Sequence, residues 1–155
     1  MKRKRKRGSP RSQTNAKAKV YKGIKFRSAL EVYMYKLFEK SDIQFAYEAQ
    51  KFVIIEGFHS PNASYERFMN GKGDFKDRGD KKYRDMVYTP DFTPPKGQPL
   101  DWVVEVKGRA MPDFPRTWKL FKKLIVKNKL DTVLFMPRNQ KECEEVINLI
   151  KQIYE

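Results

Sequence analysis

The chain holds one cysteine, Cys143, and one histidine, His59, in 155 residues. That excludes a disulfide framework and a zinc site built from Cys and His. Nucleophilic catalysis by a Ser–His or Cys–His pair would have to rely on His59 alone. No stretch approaches the ~18 consecutive apolar residues of a membrane-spanning helix, so no membrane partner is expected. The basic N-terminus is not followed by the apolar segment of a secretory signal. Any hydrolytic chemistry must run on carboxylates, lysine and a hard metal ion. A reducing compartment, the cytoplasm, suits the lone thiol.

What is present is charge, and mostly of one sign. The net charge is +15, from 34 basic and 19 acidic residues. Ten of the basic residues fall in residues 1–22 with no acid among them, leaving 24 against 19 in the rest. Residues 1–22 read as a disordered basic arm, because charges this dense repel one another and bury nothing. Lys2, Arg3, Lys4, Arg5, Lys6 and Arg7 are its phosphate-binding candidates, since each phosphate contact releases counterions. A flexible tail or a nuclear-import signal has the same composition. Nucleic acid ranks ahead of membrane as the polyanionic partner.

Residues 23–155 suffice for one domain with one core. Ser28 and Glu31 form an S-x-x-E capping box, and Leu30, Tyr33, Met34, Leu37 and Phe38 follow at helical spacing, so a helix is expected from Ser28 to about Ser41. Residues 43–56 read as extended chain. Residues 57–84, rich in Gly, Asn, Asp, Lys and Arg, read as a long solvated loop or hairpin excursion. Strands are expected at 85–92, 101–107 and 131–136, and helices at about 115–129 and 139–154. The order implies a mixed α/β fold with helices flanking a central sheet.

Hydrolysis of a phosphodiester needs an activated water, neutralised charge at phosphorus and a stabilised leaving oxygen. Divalent metals can supply all three. Magnesium takes oxygen ligands and only one or two protein carboxylates. Asp91 ends one predicted strand and Glu105 lies in the next. Glu105 and Lys107, two apart, share a face, while Val104 and Val106 point the other way into the core. The Val106 carbonyl lies between them as a further possible ligand. Lys107 can hold or deprotonate the attacking water, because lysine pKa values fall on desolvation.

Pro90-Asp91 followed by Glu105-Val106-Lys107 resembles the PD-(D/E)xK signature of restriction-endonuclease-like nucleases. The segments FRSALE (26–31), YTPDF (88–92) and VEVKG (104–108) together are similar to the active-site motifs of the phage endonuclease I, or Holliday-junction resolvase, family. The resemblance spans about residues 26–108 and leaves the arm and the 57–84 excursion unmatched. It implies a restriction-endonuclease-like α-β-β-β-α-β-α core and a magnesium-dependent DNA endonuclease, with manganese able to substitute. Asp91 and Glu105 would be the main metal ligands, Glu31 a helix-borne acid near a second metal or the water, and Lys107 the catalytic lysine. It also implies a homodimer acting on branched or four-way DNA in a phage-infected or prophage-carrying host. The sixty residues from Glu31 to Asp91 are long for the family. The segment with Arg116, Trp118 and Lys119 looks more like small phage and prophage nucleases of uncharacterised substrate. A nickase or another structure- or sequence-preferring endonuclease is therefore the competing reading, and a non-catalytic DNA-binding protein on the same scaffold the third.

Each residue has a plainer explanation. Glu31 can be a capping-box acid, Asp91 a strand-end aspartate after proline, and Glu105 with Lys107 an ion pair on a solvated sheet face. All three coinciding in family order favours the site. Arg27, Arg109, Arg116 and Lys119 flank the motifs as phosphate-clamp candidates. Trp118 and Cys143 read as packing residues, and His59 as incidental.

Overall fold

A computed structural model describes residues 18–109 and 111–155. The phosphate-binding candidates at positions 2–7 lie outside them. The first described element is a hairpin, β1 (Lys19–Tyr21) paired antiparallel with β2 (Ile24–Phe26). Lys22 and Gly23, at φ 49° and 78°, form its two-residue turn. Positive φ at both central residues is the type I′ geometry whose twist suits a hairpin. The arm expected to run to residue 22 therefore gives way to a strand by Lys19. Charge density does not prevent pairing when Tyr21 and Lys22 can both reach Glu39, at 3.0 and 2.7 Å.

Helix α1 (Ala29–Lys40) starts where the capping box places it: the Ser28 hydroxyl accepts from the Glu31 N–H at 3.1 Å. It buries Met34 and Phe38. The extended stretch after it divides into β3 (Ala46–Tyr47) and β4 (Phe52–Ile55). Glu48, at φ 45°, marks the break between them.

The 57–84 excursion is a two-stranded ribbon. Strand β5 (Phe58–Ser60) leads out through β6 (Tyr65–Glu66), and the chain returns through β7 (Lys76–Asp77) and β8 (Lys81–Tyr83). β5 pairs with β8 and β6 with β7, all antiparallel. Asp77, one of three aspartates here at a spacing of three, accepts from the Ser64 and Gly79 N–H groups at 2.9 and 2.8 Å, which holds its carboxyl below the usual range. His59 pairs with Asp80 at 2.8 Å. The ribbon extends the pairing of β4 with β9 (Met86–Tyr88).

Strands β10 (Phe92–Thr93) and β11 (Trp102–Val104) follow, then helix α2 (Phe114–Lys127), strand β12 (Val133–Phe135) and helix α3 (Gln140–Ile153). The central sheet has the order β12-β11-β10-β3, with β11 parallel to β12 and the other pairs antiparallel. Pairing continues past β11: the Glu105 and Lys107 N–H groups donate to the carbonyls of Phe135 and Pro137, each at 3.0 Å. The architecture is mixed α/β.

Alternation along β11 sends its residues into two cores. Trp102, Val104 and Val106 pack with Met34 and Phe38 of α1 and Cys143, Val146 and Ile150 of α3. Val103 packs with Tyr88 and with Trp118, Phe121 and Ile125 of α2. Each large apolar side chain so buried contributes about 1.5–3 kcal/mol relative to exposure. The face that carries Val103 also carries Glu105 and Lys107, so the charged pair emerges beside α2 rather than on open surface. No helix among the described residues is long and apolar enough to cross a membrane.

Candidate active site

Three carboxylates meet where α1, β10 and β11 converge. Glu31, Asp91 and Glu105 are only 5%, 4% and 3% exposed. Asp91 ends the turn into β10 and its Oδ2 accepts from the Val106 N–H at 2.7 Å, which ties it to the strand carrying Glu105. Glu105 Oε2 accepts from the Tyr88 hydroxyl at 2.6 Å, and Oε1 pairs with Lys107 Nζ at 2.5 Å. The Lys107 ammonium also lies 4.2 Å from the centre of the Phe114 ring. The ion pair is thus buried, not on a solvated face as its plainer explanation required.

Glu31 serves the capping box and the site at once. Its Oε1 accepts from the Ser28 hydroxyl at 2.8 Å; its Oε2 accepts from the Arg27 N–H at 3.1 Å and the Tyr47 hydroxyl at 2.9 Å. Its charge still reaches Asp91. Burial, foremost, and then the charges of Glu105 and Glu31 push the Asp91 carboxyl up to about 8, against the opposing pull of the Val106 N–H and Lys107. Burial and Glu105 likewise push the Tyr88 phenol up, and burial and Glu31 the Tyr47 phenol, so both stay protonated donors to their carboxylates.

A cavity of about 420 Å³ opens beside Glu105 and Lys107, lined also by Arg27, Tyr88, Thr89 and Phe114; Asp91 and Glu31 lie behind its lining. Arg27 is exposed and its Nη2 lies 2.9 Å from Glu48 Oε1, a buried oxygen that makes no hydrogen bond. The Glu48 N–H donates to the Asp91 carbonyl at 2.8 Å. Arg109 and Lys119 line a second cavity, which shares Lys107, Met111 and Phe114 with the first. Arg116 lies on α2 outside both.

Tyr47, Glu48 and Tyr88 carry no role in the sequence reading. The signal for Tyr88 was its place in YTPDF; Tyr47 and Glu48 sit in a stretch read only as extended. Trp118 and Cys143 are buried packing residues, as expected, and burial pushes the Cys143 thiol up to about 12.

Asp91 and Glu105 offer an all-oxygen donor set suited to a hard divalent cation. Among the described residues, no three His, Cys, Asp or Glu side chains form a ready metal cage. Two carboxylates with the remaining positions filled by water match what magnesium asks of a protein. The proton affinity of Asp91 points the same way, because a buried carboxylate pushed to about 8 gains from any neighbouring cation. No known protein family, curated protein or solved structure matches the chain.

Proposed function

We propose that the protein is a metal-dependent DNA endonuclease with a restriction-endonuclease-like core, acting through Asp91, Glu105 and Lys107. One observation carries this reading: three buried carboxylates share a site with a single buried-edge lysine. An excess of buried negative charge is costly and has no stabilising purpose. Such excess is a mark of functional sites.

Magnesium, when bound by Asp91 and Glu105, would polarise the phosphoryl oxygen and lower the pKa of a coordinated water. The protein's own groups do the positioning. Val106 N–H fixes one Asp91 oxygen. Tyr88 orients Glu105. Lys107 Nζ, held between Glu105 and the Phe114 ring, presents its remaining donors to the attacking water or to a phosphate oxygen. Arg27, at the cavity mouth, is suited to a phosphate. Glu31 adds negative charge from α1 while its own position is locked by Ser28 and Tyr47. Water attacks phosphorus in line, and the bond to the leaving sugar oxygen breaks.

The motif resemblance supports branched DNA as substrate and a homodimer as the working unit. The reading is tested by incubating the protein with magnesium or manganese and a panel of four-way, flap, nicked and linear DNA. Cleavage is expected, fastest on branched forms, and Glu105→Ala should abolish it while DNA binding persists. Cutting by Glu105→Ala would refute the site; equal rates on junction and linear duplex would refute the branched-DNA preference.

A further inference from the structure

Arg27 stands at the mouth of the cavity beside Glu105 and Lys107, in the short link between β2 and α1. Its side chain is 73% exposed, and its Nη2 lies 2.9 Å from Glu48 Oε1. No hydrogen bond from the described residues reaches that buried oxygen, so its charge leans on the guanidinium. An ion pair this open to water adds little to stability. The backbone that aims Glu48 is, by contrast, strained. Its φ is 45°, in the left-handed region that disfavours a residue with a Cβ. Lys22, Asp80 and Lys129 share that conformation, at the first hairpin turn, in the ribbon and after α2. Glu48 adopts it beside the carboxylate cluster.

The strained turn joins four residues. It brings the Glu48 N–H to the Asp91 carbonyl, at 2.8 Å. The preceding residue, Tyr47, gives its hydroxyl to Glu31 Oε2 at 2.9 Å. The Glu48 carboxylate meets Arg27, whose own N–H donates to that same Glu31 oxygen at 3.1 Å. Glu48 is thus tied by its backbone to a proposed metal ligand and by its side chain to a phosphate-clamp candidate. Strain retained beside an active site marks a position kept for what its side chain does. A free arginine side chain samples many rotamers, and ordering it on an anion opposes binding. One carboxylate oxygen on Nη2 orders the guanidinium in advance and leaves its other donors open to the cavity.

We infer that Glu48 is a positioning residue, holding Arg27 at the cavity mouth in the orientation that takes a phosphate of the strand to be cut. The inference rests on the nuclease reading for the identity of that strand. Glu48 acts through Arg27. Its charge opposes an incoming phosphate only weakly, because Arg27 already matches it and water at the mouth screens it.

The test reads binding in EDTA, where no metal-dependent cut occurs, by the anisotropy of a labelled four-way DNA. Glu48→Gln keeps the shape of the side chain and should weaken binding roughly two- to tenfold, the cost of ordering one long side chain. Arg27→Ala should weaken it at least as much. In a chain already carrying Arg27→Ala, Glu48→Gln should weaken nothing, since only a repulsive charge is then removed. Equal losses in the two backgrounds, or no loss in either, overturn the inference. Glu48→Gly relieves the left-handed backbone and keeps the N–H that the Asp91 carbonyl accepts. It should bind as poorly as Glu48→Gln while melting no lower than the parent. A residue needed only for the fold would lower affinity and melting temperature together, and that result also overturns the inference. In magnesium, kcat/KM should fall by the same factor and only where Arg27 is present. Coupled binding without any cleavage would keep the role of Glu48 and refute the nuclease; cleavage without the coupling would do the reverse.

Discussion

Asp91→Asn keeps the shape of a buried carboxyl and removes its charge. Asp91 is pushed up to about 8, by burial first and then by Glu105 and Glu31. In the unfolded chain the same carboxyl titrates near about 4. Between those values the folded protein holds a proton that the unfolded chain has released. The contribution of this group to stability is therefore fully present below about pH 4 and lost as pH rises through about 8, at roughly 1.4 kcal/mol per pH unit at most. Over that span the change amounts to a few kcal/mol. Asparagine can still accept the Val106 N–H and pays no charge penalty. In EDTA the variant should match the parent within about 1 kcal/mol near pH 5 and exceed it by a few kcal/mol near pH 9. Urea unfolding followed by tryptophan fluorescence measures the gap. A gap that is absent near pH 9, or constant across the range, would falsify the burial argument. Magnesium added near pH 9 should stabilise the parent, by about 2.7 kcal/mol at one hundred times its dissociation constant, and leave the variant unmoved.

Other outcomes follow from single contacts. Ser28→Ala removes the α1 cap and a Glu31 partner; it should cost about 1 kcal/mol in thermal unfolding and slow magnesium-dependent cleavage. An unchanged rate would mean that the placement of Glu31 does not matter. Gly79→Ala puts a Cβ 2.1 Å from the Asn62 carbonyl oxygen, so the ribbon must open. Limited proteolysis within 57–84 should speed up while the main melting transition holds, and unaltered resistance would count against the ribbon pairing. Phe121→Ala, deep in the α2 core, should cost about 3–5 kcal/mol.

Elements with strong local signals were legible in the sequence. The capping box places the start of α1 to the residue, because one hydroxyl and one carboxylate decide it. Helices α2 and α3 follow their apolar stripes. The alternation of Val104 and Val106 against Glu105 and Lys107 correctly assigns the core face. The ribbon was legible only as an excursion, since its strands are short and largely exposed and are held by turn contacts such as those of Asp77. The first hairpin was hidden by its lysines, although Lys22-Gly23 carries a turn signal. Within the site, the acids and lysine stood out by type and order. Tyr47, Glu48 and the depth of burial did not, because they depend on which strand lies beside which. The order β12-β11-β10-β3 has no local signature.

The neck of the ribbon has a consequence for how such a protein can vary. At the base, the Gly57 N–H donates to Asp85 Oδ1 at 2.7 Å, so the outgoing and returning chains are already side by side where they leave the body. Everything beyond that clasp is a side branch whose pairing is internal, and its length is set by residues added or removed in facing pairs. Closing a shorter branch costs no more chain entropy than closing a longer one. The carboxylate cluster, on α1 and at the ends of β10 and β11, shares no strand with it. The same cluster can therefore be fitted with appendages of different reach by insertion at one point, and a graft there exchanges the appendage without re-registering the central sheet.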